Sequence, residues 1–136
     1  MNMKKILRTS FVVVFLAAAC SFAAFAETIS CTECGMMVDM NSKFTAKIVQ
    51  SDRTSYFCDI GDLFSYLRRK GAKDVKAEVK DFNTGEWIDA GKAYYVSARK
   101  KFRTPMGWGV AAFKDLTSAS EFGNPADFDA TAKALK

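Results

Sequence analysis

Two stretches decide the fold: SYFCDIGDLF at residues 55–64 and VAAFKDLTSA at residues 110–119. Each runs from a short strand-like segment with a closing aromatic, through an aspartate, to an aliphatic residue. An aspartate there is a helix N-cap, because its carboxylate can accept a backbone N–H that the first helical turn leaves unpaired. In the first copy Ile60, Leu63, Phe64 and Leu67 recur on one helical face. Asp59 caps, Asp62 follows three residues on, Arg68, Arg69 and Lys70 suit the negative end, and Gly71 stops the helix. The second copy predicts a shorter helix around Asp115–Phe122, closed by Gly123-Asn124-Pro125.

Working outward, KFTAKIVQ at 43–50 alternates apolar and polar residues as a half-buried strand does, and a Ser51-Asp52-Arg53 turn sends the chain back through TSYFC at 54–58. VKAEVKDF at 75–82 reads as a strand, and Asn83-Thr84-Gly85 as a turn into EWIDA. Beyond it AYYVSA at 93–98 and MGWGVAAF at 106–113 read as strands around a basic loop. PADFDATAKALK at the C-terminus fits either a last amphipathic helix or a frayed tail. The repeated grammar predicts an α+β fold of two ββα-type units packed side by side.

The N-terminus has the layout of a signal peptide. Lys4, Lys5 and Arg8 precede an apolar run from Phe11, and Ala24-Phe25-Ala26 gives a small-x-small cleavage site. The run is too short for a spanning helix, which needs about 20 apolar residues. Residues 1–26 are therefore expected to be a leader and 27–136 the exported domain. An alternative cleavage before Cys20 reads Ala18-Ala19-Cys20 as a lipobox and would make Cys20 a lipid anchor. A lipobox usually carries leucine three residues before the cysteine, and that position is Ala17.

Loss of this leader takes the formal charge from +5 to +2 by removing Lys4, Lys5 and Arg8. Nucleic-acid binding, which needs a clustered basic face, then loses its main support. The remaining run Arg99-Lys100-Lys101-Phe102-Arg103 reads as a solvated loop, or as a docking patch for an acidic partner. Cys31, Cys34 and Cys58 remain, an odd number, whereas a disulfide framework in an oxidising compartment favours an even one.

The chemistry concentrates in CTECGMMVDM at 31–40, two cysteines and three methionines in a chain without histidine. A structural zinc site wants four cysteine or histidine ligands, and the chain offers one CxxC and a distant Cys58. A redox CxxC belongs at a helix N-terminus, whereas Gly35 and a strand-like run follow this one. Thiolate and thioether donors together suit Cu(I), which accepts two or three ligands. Cys34 and Met36, two apart, would point the same way on an extended segment, with Gly35 leaving room beside them. TPMGWG at 104–109 reads either as a turn whose Met106 and Trp108 fill the core or as a rigid loop presenting Met106 as a third sulfur.

CTECGMMV, the aromatic strand leading into DIGD, NTGEWIDA, AYYV and TPMGWGVAAF, in that order, resemble the NosL family over about residues 31–122. The family comprises copper-binding accessory proteins of nitrous oxide reductase maturation in denitrification. The resemblance implies two small ββαβ-like units, related to part of organomercurial lyase. It implies a periplasmic, non-enzymatic metallochaperone, often a lipoprotein. Such a protein would bind one Cu(I) and deliver it to the membrane-bound machinery that assembles the reductase's copper centres, or to another cuproprotein client. By motif the resemblance puts the ligands on Cys34, Met36 and Met106, with Cys31 a weaker candidate. Cys58 lies outside the motif and is expected to be a buried core thiol. The rival readings are a thiol-disulfide oxidoreductase or an organomercurial-lyase-like enzyme using Cys31 and Cys34.

Overall fold

The structure is a computed structural model and describes residues 27–71 and 75–135. The leader, its alternative cleavage sites and Cys20 lie outside the described residues. The elements follow in the order β1 (Ala46–Val49), β2 (Thr54–Phe57), α1 (Ile60–Lys70), β3 (Lys76–Lys80), β4 (Trp87–Asp89), β5 (Tyr94–Ser97), β6 (Val110–Phe113), α2 (Leu116–Ser120) and α3 (Phe128–Ala134). No helix among the described residues is long and apolar enough to cross a membrane.

The first unit is a four-stranded antiparallel sheet in the order β2-β1-β3-β4. Ala46 and Ile48 of β1 face the core while Lys47 and Val49 are only half-buried, which is the alternation the sequence carries. α1 ends as its residues dictate: Asp59 accepts the N–H of Gly61 at 3.1 Å, and Gly71 closes the helix in the left-handed conformation at φ 60.

The second unit repeats the arrangement in reduced form. β5 pairs antiparallel with β6, and its other edge exchanges two hydrogen bonds of 2.8 Å between Tyr95 and Ala126. In both units the first strand lies between the second strand and the segment that follows the helix. The two helix caps correspond as well, since Asp115 accepts the N–H of Ser118. Phe57 and Phe113, the aromatic residues closing β2 and β6, are each fully buried, which stabilises the fold by about 1.5–3 kcal/mol apiece.

β6 is apolar at every position because both of its faces are covered. Val110 and Ala112 join the core under α1; Ala111 and Phe113 join a second core with Val96, Phe102 and Ala119, lined by Phe44, Phe82 and Phe122. Asp81 stitches the two sheets together at the end of β3. Its backbone bridges to Ala112, its Oδ2 accepts Thr84 N–H at 2.8 Å, and its Oδ1 accepts Lys114 N–H at 2.8 Å. The C-terminal segment is a helix, and its Phe128 packs on Phe64 with ring centroids 4.8 Å apart.

One expected strand is shorter than its sequence suggests. Met106–Gly109 is a loop, since Gly107 at φ 74 and Gly109 at φ 68 take conformations that a strand excludes. A Cβ at Gly109 would stand 2.5 Å from Arg99 Cα, so glycine is required there for close approach of the basic loop.

Candidate metal centre

The sulfur-rich segment is a tight hairpin, not the extended run that its spacing suggested. Ser30 bridges to Met37, Val38 N–H donates to Ile29 O at 2.8 Å, and Cys31 N–H donates to Met36 O at 2.7 Å. Inside that loop Gly35 N–H donates to Cys31 O at 2.9 Å, and Gly35 turns the chain at φ 76. Cys34 and Met36 are thus neighbours on a turn, and the side-chain alternation of a strand does not govern them.

Two anchors fix the hairpin. Thr32 N–H donates to Tyr56 O at 2.8 Å, which lays the loop along the open edge of β2. On the other side Glu33 accepts Ser65 Oγ at 3.0 Å and pairs with Arg69 at 2.5 Å, both from α1. The Arg69 guanidinium holds the Glu33 carboxyl below its ordinary range.

These anchors bring Cys34 against the start of α1. Its Sγ lies 3.4 Å from that of Cys58, which follows β2 directly and is buried. Cys31, also buried, places its Sγ 3.4 Å from Oδ2 of Asp62, and the Cys58 thiol lies 3.5 Å from the same oxygen. The three sulfurs and the carboxylate oxygen all lie within 4.8 Å of one another. Burial pushes the Cys34 thiol above its ordinary value and the Cys58 thiol well above it. Any metal entering must therefore displace protons.

The TPMGWG loop docks on the same helix end. Asp59 Oδ2 accepts Thr104 Oγ1 at 2.6 Å and Met106 N–H at 3.0 Å, while Trp108 Nε1 donates to Asp62 Oδ1 at 2.9 Å. Burial pushes the Asp59 carboxyl up despite the hydrogen bonds it accepts from Thr104, Gly61 and Met106. Trp108 lies flat over Gly61, where any Cβ would meet its Cγ at 1.9 Å. Met106 and Met36 stay on the surface, 42% and 49% exposed.

Cys31, Cys34 and the Met106 loop therefore converge on one helix N-terminus, linked in order through Met106, Asp59, Cys58 and Cys34. Two participants, Cys58 and Asp62, carry no local motif that marks them as ligands. Cys58 is buried as expected, yet its sulfur belongs to the cluster. Asp62 reads in sequence as an ordinary first-turn acid, and Cys58 precedes the extended N-cap Asp59, so no helical spacing marks the pair.

The architecture and the site define a two-unit α+β protein with three thiols and a carboxylate gathered at one helix end, beside the loop that carries Met106. The NosL family model matches residues 22–127, so the chain belongs to the NosL family. It is similar in fold to the crystal structure of the copper chaperone NosL from Shewanella denitrificans, with a TM-score of 0.64 and 23% identity over 75% of this chain and 88% of that one. No curated protein matches the chain.

Proposed function

We propose that this protein is a Cu(I) metallochaperone that holds one ion between Cys34, Met36 and Met106. The observation that supports it best is the docking of the Met106 loop, through Asp59, onto the helix end beside Cys58 and Cys34. A second is that Met36 and Met106 remain exposed and Cys34 is only partly buried, which leaves all three within reach of an incoming ion. One thiolate and two neutral thioethers offset the charge of a monovalent cation and suit its softness. An ion so held can leave by stepwise replacement of its sulfurs. Family membership and the copper chaperone of the same fold agree with this cargo.

The finer expectations follow from that reading. The protein works in the periplasm after loss of residues 1–26, or on a membrane through Cys20. It delivers copper to assembly machinery for nitrous oxide reductase or a related cuproprotein, without turnover of its own. Beside the Met106 loop a surface cavity of about 470 Å³ is lined by Arg99, Lys100, Phe102, Arg103, Thr104 and Gly107, a basic face suited to an acidic partner. Anaerobic titration of the reduced protein with Cu(I) against a competing chelator should saturate at one ion per chain, with sulfur-only scattering in X-ray absorption. Saturation with nitrogen or oxygen scatterers, or no uptake, refutes the assignment.

The enzymatic rival gains one observation. Cys34 and Cys58 bring their sulfurs within 3.4 Å, with Asp62 as an adjacent acid. It requires turnover of a dithiol or organomercurial substrate that survives Met106→Ala.

A further inference from the structure

We propose that Cys31, Cys34, Cys58 and Asp62 form an inner metal position for a thiophilic divalent ion of the zinc class. This position is distinct from the outer copper set and shares Cys34 with it. A count of cysteines and histidines leaves zinc one ligand short; the fold supplies the fourth as a carboxylate.

Geometry is the first support. Tetrahedral zinc, with Zn–S of about 2.3 Å and Zn–O of about 2.0–2.2 Å, sets sulfurs about 3.8 Å from one another and about 3.5 Å from the oxygen. The cluster shows 3.4 Å between Cys34 and Cys58, 3.4 Å from Cys31 to Asp62 and 3.5 Å from Cys58 to Asp62. All four ligand atoms lie within 4.8 Å of one another. The donors are therefore already near the corners that such an ion needs.

The carboxylate is also held in position. Trp108 Nε1 occupies Oδ1 of Asp62 at 2.9 Å, and Oδ2 faces the thiols of Cys31 and Cys58. A hydrogen bond that fixes one oxygen and aims the other is how proteins orient ligating carboxylates.

Charge and softness then select the ion. Three thiolates and a carboxylate carry four negative charges at a largely buried point, which a dication offsets better than a monocation. An oxygen donor suits a borderline divalent ion and is a poor ligand for Cu(I). The outer set has the opposite bias, with one thiolate and two thioethers. Because Cys34 serves both, occupancy of the inner position excludes copper from the outer one. This competition rests on the copper reading, whereas the inner position does not.

The test is anaerobic titration of the reduced, metal-free protein with Co²⁺, followed by displacement with Zn²⁺. Tetrahedral visible bands with sulfur-to-cobalt charge transfer, bleached by one equivalent of Zn²⁺, are expected. Cys58→Ser and Asp62→Asn should each weaken Zn²⁺ by at least about tenfold, while Met36→Ala and Met106→Ala change it by less than about twofold. If the buried variants do not fold, the wild type still decides. One equivalent of Zn²⁺ should protect Cys34 from iodoacetamide, and unprotected alkylation overturns the proposal. An octahedral Co²⁺ spectrum without charge transfer also overturns it, as does equal loss of Zn²⁺ affinity in the methionine and cysteine variants. Zn²⁺ binding without Cu(I) uptake would refute the copper reading alone; the reverse would refute the inner position alone.

Discussion

Asp59 Oδ2 accepts the backbone N–H of Met106 at 3.0 Å, across 47 positions of sequence. The same carboxylate caps α1 through Gly61 and receives the hydroxyl of Thr104. One buried side chain therefore starts the helix and fixes the loop that carries Met106. Asp59→Ala leaves three donors unpaired and should cost about 2–4 kcal/mol in urea unfolding. It should also weaken Cu(I) binding about as much as Met106→Ala. Full stability, or copper affinity at the wild-type value, would show that this carboxylate does not hold the loop.

Gly61→Ala sets two effects against each other. Alanine favours a helix by about 1 kcal/mol over glycine. At this position its Cβ would stand 1.9 Å from Trp108 Cγ, so the indole must leave its seat and its hydrogen bond to Asp62. Overpacking of this kind costs about 1–3 kcal/mol, so the clash should win and the variant should be less stable by up to about 2 kcal/mol. A red shift and quenching change in tryptophan emission should accompany it. A variant more stable than the wild type would mean that the TPMGWG loop is free to swing away.

Asp81 links the two units and gives stability a pH dependence. Burial alone would raise its carboxyl, but hydrogen bonds from Thr84, Lys114 and Asn83 outweigh it and the group titrates below its ordinary value. A carboxyl depressed on folding stabilises above its unfolded value of about 3.9, and that stability is lost as pH falls through the folded value. Asp81→Asn should therefore cost about 1–3 kcal/mol at pH 7, with the difference from wild type shrinking below about pH 4. A pH-independent difference would contradict the assignment.

The sequence makes local choices legible and spatial ones much less so. Asp59, the face of Ile60, Leu63, Phe64 and Leu67, and Gly71 define α1 because each acts within a few residues of its own position. Likewise the paired SYFCDIGDLF and VAAFKDLTSA stretches foretell the two units, since strand, cap and helix recur in the same order. Cys58 was legible only as a buried thiol. Its approach to Cys34 depends on Thr32 pairing with Tyr56 and on Glu33 reaching Ser65 and Arg69, contacts between distant segments. Met106–Gly109 reads as strand on hydrophobicity, and only the positive φ of Gly107 and Gly109 reveals the loop. Asp62 resembles any acid in a first turn until Trp108 and two thiols are seen around it.

The central claim is that two thioethers, one beside Cys34 and one from a distant loop, complete the copper site with Cys34. Competition titration of Cu(I) against a chelator, run on wild type, Met36→Ala and Met106→Ala, measures it most directly. Each substitution is expected to weaken affinity by at least about tenfold, roughly 1.4 kcal/mol, with the fold unchanged by circular dichroism. Affinities equal to the wild type in both variants would contradict the three-sulfur site.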